Sequence, residues 1–471
     1  MKRHMLVLAL ISLSTVVLLA AVTSQQEQSS RSTLVINGVT IVNIERGTLQ
    51  TNCMVVVAGD KIQRISKQDP ADVPKSPSRI IDGRGLFLMP GLIDAHVHYF
   101  DPTIFGPMMV ANGVLLVRDM GGPTKESVVL RDKLKTGEIF GPEMITTGSI
   151  LDGDPPILPQ ISIACGTPEA GRQAVRKQVA AGVDEIKVYS GLKKDTFLAI
   201  IEEANKLGIK PVGHIPESIY IEDAANAGLR SSEHPFGFGK IIAKLLGEPV
   251  RLSTGGVGTD APYFLKFNEV NREEFRKVLT RIAATGMHVC PTLVVFKHGA
   301  HLREIFADNY PMLEYVSPMT MGIWKTVWGN QPANEIASRL VPSMQQVVKE
   351  LQMSGIPLMV GTDLLYPGII PGYSVHEEMV LWQEAGISPP QILRSATIVP
   401  AKLMGLDGRL GTIAEGKTAS LVLLRANPLE DIRNTGQIEG VLFHGRYFNR
   451  ADLDRLQQDV KKICGKSRVK P

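Results

Sequence analysis

Two histidines one residue apart stand at the end of an apolar stretch, and their spacing suits a metal site. The stretch begins at Leu88 and ends in His96-Val97-His98. On a β-strand successive side chains point to opposite faces, so the two imidazoles would share one face. Imidazole nitrogens are common zinc ligands. Two structural histidines beside a turn would give the same local sequence, so the choice between a metal site and a structural pair depends on the rest of the chain.

Four further polar residues occur within or just after later apolar runs, at the ends of predicted strands. They are Lys187, His214, His234 and Asp363. A single histidine at the end of a strand is more often a hydrogen-bonded structural residue than a ligand. Because the four follow the histidine pair in chain order, each at the end of a predicted strand, they favour one shared metal site. A bound Zn²⁺ lowers the pKa of its water toward ~7 and so supplies hydroxide at neutral pH.

Strands and helices alternate over the middle of the chain, which predicts a parallel sheet. The predicted strands are 114–117, 185–189, 210–214, 229–234, 287–293 and 357–363. The predicted helices are 169–181, 194–207, 221–227, 273–285 and 342–354. Repeated strand–helix units over this length fit an α/β protein with a closed (β/α)8 TIM-like barrel. The chemistry of such barrels lies where the strands end, which is where these polar residues fall.

Both ends of the chain are rich in short predicted strands. Asn37-Gly38 and Ala58-Gly59-Asp60 each lie between apolar runs and predict hairpins. Further strands are predicted at 420–424 and 441–447. These patterns predict a small β-sandwich domain formed by both termini, from residues 34–89 and 405–450. The barrel domain would then span residues 90–404.

Residues 1–24 have the composition of a secretory signal peptide. The basic residues Lys2 and Arg3 precede an apolar run over residues 5–22, and a polar stretch follows. This order is typical of an export signal, so we expect the body of the protein to be periplasmic or extracellular. The apolar run is also long enough for an uncleaved membrane anchor, which stays an alternative.

The composition is that of a globular protein and argues against several function classes. The 471 residues are 44% hydrophobic and 21% charged, with a net charge of +4. This small charge, with no dense basic stripe outside residues 461–470, gives no support for nucleic-acid binding. The cysteines form no CxxC pair, so no cysteine-based zinc or redox motif is predicted, and disulfides stay open. They are Cys53, Cys165, Cys290 and Cys464.

Several short motifs occur along the chain in a fixed order. They are Pro90 to His98, Val117 to Gly122, Glu185 to Tyr189, Gly213-His214, Ser232 to His234, Gly361 to Asp363, Ser395 to Thr397, Gly411 to Lys417 and Asn427 to Leu429. Together they resemble the amidohydrolase superfamily of metal-dependent hydrolases, in particular the branch of imidazolonepropionase-like proteins and Xaa-Pro dipeptidases. The resemblance covers about residues 34–450. Ser420 departs from it, because this family usually has Asp there, in the terminal β-domain.

The resemblance implies a role for each residue of the candidate site. It implies two divalent metal ions, with zinc expected, held by His96, His98 and Asp363 and by His214 and His234. A lysine ammonium has no lone pair to donate. In the related enzymes the lysine at the position of Lys187 reacts with CO₂, and the carbamate bridges the two metals. Asp363 would be the general acid/base that takes a proton from the water and gives it to the leaving nitrogen.

Three residues are weaker candidates for substrate contacts. Tyr189 shares a predicted face with Lys187, Arg118 follows an apolar strand, and His288 lies on another predicted strand, where it could line the pocket. Arg118 also fits a bracing ion pair at the barrel mouth. Glu233 points away from its neighbour His234 on the predicted strand, which indicates a supporting role. The expected partner is a small-molecule amide, either a dipeptide or an N-acyl amino acid, and a homo-oligomer stays open.

Two rival functions are open at this point. In a one-metal deaminase or cyclic-amide hydrolase, a Glu three residues after the fifth-strand histidine protonates the substrate, and Glu217 has that spacing after His214. Lys187 argues against this reading, because a one-metal site does not need it. The other rival is an exported binding module that has kept the barrel without turnover. The presence of all six site residues argues against that.

Overall fold

The computed structural model describes residues 33–67, 74, 77–250, 258–307, 310, 312–329 and 335–466. The predicted signal peptide, residues 1–24, lies outside these described residues. Within the described part of the chain, no helix combines the length and the apolar character needed to cross a membrane.

Strands and helices alternate through the middle of the chain, with strands concentrated at its two ends. The strands are β1 Thr33–Asn43, β2 Thr48–Ala58, β3 Lys61–Lys67, β4 Arg79–Asp82, β5 Phe87–Pro90, β6 Leu92–Val97, β7 Val114–Asp119, β8 Glu143–Thr146, β9 Ile150–Asp152, β10 Ser162–Ala164, β11 Glu185–Val188, β12 Lys210–Gly213, β13 Ser231–Glu233, β14 His288–Cys290, β15 Leu421–Leu424, β16 Ile438–Phe443 and β17 Arg446–Asn449. The helices are α1 Pro102–Ala111, α2 Thr124–Thr136, α3 Pro168–Ala180, α4 Lys194–Lys206, α5 Ile221–Ala227, α6 Phe238–Leu245, α7 Arg272–Ala284, α8 Leu293–Gly299, α9 Leu302–Phe306, α10 Pro318–Trp328, α11 Glu335–Met353, α12 Tyr373–Glu384, α13 Pro389–Ser395, α14 Ile398–Met404 and α15 Arg450–Lys466.

The strands from both ends of the chain form one eight-stranded sheet. Its order is β17-β16-β15-β5-β1-β2-β3, with β4 beside β1. The sheet curls, because Ile62 in β3 exchanges backbone hydrogen bonds with Gly416 and Lys417, just before β15. Apolar side chains from both ends, such as Val55 and Leu423, share a core inside it. The two termini thus build one β-unit, as their patterns predict, and its strands are joined in a single curled sheet.

One of the two predicted hairpins is wrong. Asn37 and Gly38 lie inside β1, where a bulge shifts the register between Asn37 and Val39. Gly38 has a φ of 77°, and its extra residue kinks the strand without reversing it. β1 therefore continues alongside β2. The second hairpin is confirmed, because β2 and β3 pair antiparallel across Gly59, which has a φ of 60°.

Eight parallel strand positions in the middle of the chain close into a barrel. β6, β7 and β8 form one hydrogen-bonded run, and β9, β11, β12, β13 and β14 form another, with β8 and β9 in one position. The amide of Asp184, next to β11, donates to the carbonyl of Thr146 in β8 and joins the runs. The last strand is the segment 357–364, whose bridges reach Val289 in β14 and Val97 in β6. This closure confirms the predicted (β/α)8 barrel.

The predicted helices of the barrel are confirmed, with small differences at their ends. They correspond to α3, α4, α5, α7 and the second part of α11, which begins earlier, at Glu335. Helix α10 packs against the end of the closing strand, since its buried Trp324 indole donates to the carbonyl of Leu365, the residue after that strand, at 2.7 Å. All four cysteines are buried, and none of them forms a disulfide.

Candidate metal centre

Three of the predicted ligands meet where the first and last barrel strands end. His96 lies in β6, His98 follows that strand, and Asp363 lies in the segment 357–364. Oδ1 of Asp363 is 3.3 Å from His96 Nε2 and 3.5 Å from His98 Nε2. The three ligand atoms all lie within 4.8 Å of one another, so a single ion can contact all of them.

The other two predicted histidines join the same cluster. His214 directly follows β12 and His234 directly follows β13. The His234 ring lies 4.8 Å from the His214 ring and 5.0 Å from the His96 ring, measured between centroids. Its Nε2 is 3.8 Å from Oδ2 of Asp363. Both pairs of histidines therefore converge on one region at the carboxyl ends of the strands.

Each of the four imidazoles is fixed through its Nδ1 atom. The partners are Glu233 Oε2 for His96 at 3.1 Å, the Gly121 carbonyl for His98 at 2.9 Å, Ser190 Oγ for His214 at 3.0 Å and Thr292 Oγ1 for His234 at 2.6 Å. The carboxylate and the carbonyl can only accept, so Nδ1 of His96 and of His98 carries the proton. This leaves Nε2 as the ring atom with a free lone pair. Metal-ligating histidines are held in this way, with the second nitrogen bonded to the protein.

Lys187 is buried in the same part of the barrel, with 1% of its surface exposed. Burial lowers the pKa of its amine to about 8, although the carboxylates of Glu233 and Asp363 favour the charged form. The Lys187 side chain packs closely against the backbone of Gly213, the residue before His214, and this packing requires glycine there. A Cβ on Gly213 would lie 3.0 Å from Lys187 Cδ and 2.2 Å from the Val188 carbonyl oxygen.

Arg118 lies beneath the cluster, inside the barrel. Its Nε donates to Glu185 at 2.6 Å and its Nη1 to Glu233 at 3.0 Å. Burial opposes ionisation of Glu233, but the Arg118 charge and the His96 hydrogen bond hold the pKa of this carboxyl well below its usual range. The guanidinium is fully buried. A substrate contact for Arg118 does not fit this position, whereas a bracing ion pair does, with Glu185 and Glu233 as the partners.

The backbone at the cluster is strained. Three non-glycine residues adopt left-handed backbone conformations, with φ of 61° at His234, 47° at Thr292 and 57° at Asp363. Such conformations persist only where surrounding contacts enforce them, and they concentrate at functional sites. Thr362, next to Asp363, contributes one such contact, since its hydroxyl donates to the buried Asp94 at 2.6 Å.

The donor set suits a divalent cation. Burial and the Lys187 charge hold the pKa of His214 well below its usual value, and burial lowers the pKa of His234 to about 3. Burial opposes ionisation of Asp363, but His96 and its neighbours hold the pKa of that carboxyl well below its usual range. Neutral His214 and His234 beside the ionised Asp363 are in the protonation states that metal ligation requires. Burial opposes the charge of His98, but its contact with Asp363 raises the pKa of this imidazole, so a metal ion there competes with a proton.

A second set of possible ligand atoms behind His96 does not suit a metal. Glu233 and Cys290 approach its other ring nitrogen, but Glu233 is already engaged by Arg118. Burial raises the pKa of the Cys290 thiol well above its usual value, so it remains protonated.

Of the other predicted contacts, the structure brings only Tyr189 to the cluster. Its partly exposed ring lies 4.2 Å from the His214 ring. His288 is the first residue of β14, at the amino end of that strand, and its Nδ1 contacts the Gly286 carbonyl. It is therefore at the opposite end of the barrel, and a pocket-lining role does not fit it.

Glu217 also follows β12 but is fully engaged away from the imidazoles. Its Oε2 is 3.2 Å from the Lys240 ammonium and accepts the Thr259 hydroxyl, and its Oε1 accepts the Thr259 amide. The carboxylate is 2% exposed. This geometry does not favour a carboxyl that protonates a substrate.

Sequence reasoning missed two groups of residues at the site. The hydroxyls of Ser190 and Thr292 follow barrel strands, as the ligands do, but single hydroxyl residues in loops carry no distinctive signal. The other is Phe236, whose ring lies 5.1 Å from the His234 ring and 5.8 Å from the His214 ring. Its position two residues after His234 is the only sequence signal that it carried.

Comparison with known families gives one match that spans most of the chain. A family model described as "Amidohydrolase family" matches residues 87–447. This span includes every predicted ligand and ends within the terminal sheet. None of the curated proteins compared with the chain matches it.

Solved structures share the fold over nearly the whole chain. A bottromycin amidohydrolase has a TM-score of 0.72 at 23% identity, covering 93% of this chain and 92% of its own. A prolidase in complex with N-methylphosphonate-L-proline has a TM-score of 0.65 at 23% identity, covering 89% and 100%. A Xaa-Pro dipeptidase with methionine in its active site has a TM-score of 0.64 at 19% identity, again covering 89% and 100%. At such identities the likeness establishes the shared fold.

Proposed function

The chain belongs to the amidohydrolase family, and with its structural neighbours this supports a hydrolase that acts on carbon–nitrogen bonds. From this premise we propose that it is a two-metal hydrolase of small-molecule amides. One observation carries the proposal. His96 and His98 carry their proton on Nδ1, which is bonded to the protein, so their Nε2 lone pairs face Asp363, and His214 and His234 are held through Nδ1 as well. Buried structural histidines also bond their ring nitrogens, but they would not need to direct three Nε2 atoms, those of His96, His98 and His234, at one carboxylate.

The proposal gives each ligand a task. His96, His98 and Asp363 hold one divalent ion, with zinc expected, and His214 and His234 hold the other. Bound ions of this kind lower the pKa of water and polarise a scissile carbonyl. Asp363 is ionised, so it can accept the proton of the attacking water and deliver it to the leaving nitrogen. Tyr189 stands over His214, where its hydroxyl can donate a hydrogen bond to the substrate.

Lys187 is proposed to carry a carbamate. Its neutral amine would add to CO₂ with loss of a proton, and the resulting carbamate offers oxygen ligands that an ammonium lacks. The lowered pKa of Lys187, about 8, supports this step because a useful fraction of the amine is neutral near pH 7. Burial also protects a carbamate from water.

The substrate class is proposed from the relatives in fold. Their names describe a bottromycin amidohydrolase, a prolidase bound to a proline phosphonate and a Xaa-Pro dipeptidase. We therefore propose a dipeptide or an N-acyl amino acid as substrate. A panel of these compounds, assayed with and without chelator, tests the proposal. A protein that loads metal but shows no chelator-sensitive hydrolysis on any of them would instead be a binding module.

Metal analysis of the purified protein tests the two-metal site. We expect two equivalents of metal in the wild type and fewer in Lys187→Ala, with no change in Lys206→Ala, which removes a lysine from the surface of α4. One equivalent that is unaffected by Lys187→Ala would favour a one-metal site. The deaminase alternative would then require Glu217 as a proton donor, a role that its contacts with Lys240 and Thr259 disfavour.

Export is part of the proposal and depends on residues 1–24. Expression of the full chain, followed by fractionation and measurement of the mass of the mature protein, tests it. A mature protein in the exported fraction that starts after about residue 24 supports a cleaved signal. An intact chain in the membrane fraction supports the anchor instead.

A further inference from the structure

An aromatic side chain stands against the two histidines that are proposed for the second metal. The Phe236 ring lies 5.1 Å from the His234 ring and 5.8 Å from the His214 ring. It is only partly buried, whereas both histidines are buried. The uncovered part of this ring is therefore apolar surface directly beside the metal centre.

Further partly exposed aromatic rings extend this surface along one side of the barrel mouth. Phe296 in α8 lies 6.1 Å from Phe236, measured between ring centroids. One turn further along α8, an added Cβ on Gly299 would lie 3.0 Å from the Tyr366 hydroxyl. Tyr366 closes a turn with Asp363 and packs 5.3 Å from Trp328. All four aromatic residues are partly buried. Phe236 with Phe296 and Tyr366 with Trp328 form two ring pairs joined through Gly299, and together they make a wall that begins at the candidate metal ligands.

Phe236 is held in place by contacts that use the Glu217 carboxylate. Gly258, with a φ of 63°, packs directly on the ring, since an added Cβ would lie 2.5 Å from Phe236 Cε1. The next residue, Thr259, donates to Glu217 through both its amide and its hydroxyl. The same carboxylate is paired with buried Lys240, in the helix that follows Phe236. Glu217 thus ties together the two segments that flank the ring.

Two basic residues beside Phe236 and Phe296 are already paired. Lys240 is bonded to Glu217 at 3.2 Å, and Lys297, next to Phe296, is bonded to Glu377 at 2.9 Å. Neither is therefore free to receive a substrate carboxylate on this side. At Phe236 and Phe296, the part of the wall next to the cluster, the surface offered to a substrate is therefore aromatic ring and carries no unpaired lysine.

We infer that Phe236, Phe296, Tyr366 and Trp328 form an apolar subsite that binds an aromatic or bulky aliphatic group of the substrate, and that Glu217 positions Phe236 within it. This inference rests on the proposed function, because it concerns the substrate of the same site. Because burying one such side chain removes its apolar surface from water, we expect a preference of at least tenfold for substrates that carry such a group.

The test compares matched substrates and matched variants. Dipeptides and N-acyl amino acids that differ only in Phe, Leu, Gly or Asp at one position are assayed with the metal-loaded protein. We expect kcat/KM to be at least tenfold higher for Phe or Leu than for Gly or Asp at one of the positions. Phe236→Ala should reduce this ratio at least fivefold, chiefly through KM. Phe140→Ala, at a half-buried site that packs on Phe448 in the terminal sheet, should leave the ratio unchanged.

Glu217→Gln and Thr259→Val distinguish positioning from direct catalysis. If Glu217 positions Phe236, both variants should lower the Phe-to-Gly ratio while metal content stays at the wild-type value. An equal loss on all substrates in Glu217→Gln, with no effect of Thr259→Val, would overturn the positioning role. Equal kcat/KM for all four side chains, or a preference for Asp, would overturn the apolar subsite.

A binding measurement separates this inference from the proposed function. Calorimetric titration of the metal-loaded protein with benzamide and with acetamide does not depend on turnover. Tighter binding of benzamide that is lost in Phe236→Ala supports the subsite even if no substrate is hydrolysed. Equal binding of both amides, in a protein that does hydrolyse dipeptides, would overturn the subsite and leave the proposed function standing.

Discussion

Asp363 contacts His96 through both its backbone and its side chain. The Asp363 amide donates to the His96 carbonyl at 2.8 Å, and the carboxylate oxygen lies 3.3 Å from His96 Nε2. The first of these contacts joins the last barrel strand to the first, and the second joins two candidate metal ligands. Closure of the barrel and completion of the site therefore depend on the same pair of residues.

Asp363→Asn should remove catalysis while keeping the fold. Asparagine preserves the size of the side chain but cannot take a proton from water at neutral pH, so we expect kcat to fall by about 10²–10⁴-fold. Steady-state kinetics on the best substrate of the panel measure this. Asp132→Asn, at an exposed helical position, is the control and should retain full activity. A variant of Asp363 with near wild-type kcat would exclude it as the general acid/base.

Glu233→Gln should weaken metal binding as well as stability. The substitution removes the charge that faces His96 Nδ1 and leaves Arg118 with Glu185 as its one remaining carboxylate partner. Loss of such an orienting carboxylate typically costs 10–100-fold in metal affinity. Breaking a buried ion pair costs about 3–5 kcal/mol in the free energy of unfolding. Competition with a chromophoric chelator and urea denaturation measure the two effects.

The matched control for this prediction is Glu439→Gln. Glu439 also pairs with an arginine, Arg425, but the two side chains are 32% and 53% exposed. Exposed ion pairs contribute about 0–1 kcal/mol, so this variant should stay close to the wild type in both measurements. Equal losses in the two variants would show that the buried network has no special role.

Much of the fold and of the ligand set could be predicted because both depend on local patterns. Apolar runs that alternate with amphipathic helices specify a barrel, and the carboxyl ends of its strands meet at one face. Polar residues such as His214 and His234 at those ends must therefore come together, independently of the conformation of the loops. Family motifs then supplied their roles.

The remaining features depend on contacts between residues far apart in sequence. Asn37-Gly38 suits a hairpin or a bulge equally well, and pairing with β2 decides between them. Arg118 occupies the barrel interior because Glu185 and Glu233, from two later strands, neutralise it there. The position of the Phe236 ring depends on packing against Gly258, which lies beyond an intervening helix in the sequence. No local pattern could have shown these partners.

Glu378 should make stability depend on pH in a defined direction. Burial raises the pKa of this carboxyl to about 7, although it accepts hydrogen bonds from Trp382 and from the amides of Val294 and Leu293. Between pH ~4, its usual pKa in an unfolded chain, and pH 7, the folded protein therefore holds a proton that the unfolded chain releases. The stability that this group contributes is complete below pH ~4 and is lost as pH rises through 7.

Urea denaturation of the wild type and of Glu378→Gln at pH 5 and pH 8, with chelator present, tests this prediction. The variant cannot release a proton at this position, so the wild type should lose more stability between the two pH values than the variant does. Glu384→Gln, at the exposed end of the same helix, is the control and should follow the wild type. A larger loss in Glu378→Gln than in the wild type would reverse the predicted sign.

Gly213→Ala should lower stability and metal content more than the same substitution at another glycine with a positive φ, far from the site. Gly213 has a φ of 133°, and a Cβ there would lie 2.2 Å from the Val188 carbonyl oxygen and 3.0 Å from Lys187 Cδ. Gly208→Ala is the matched control, since Gly208 also has a positive φ, 71°, but no atom lies within 4 Å of an added Cβ. We expect Gly208→Ala to cost about 1–2 kcal/mol of unfolding free energy from the backbone alone. Gly213→Ala should cost more and should also lower metal content, because strand β12 and Lys187 must both move. Equal stability and equal metal content in the two variants would refute the packing role of Gly213.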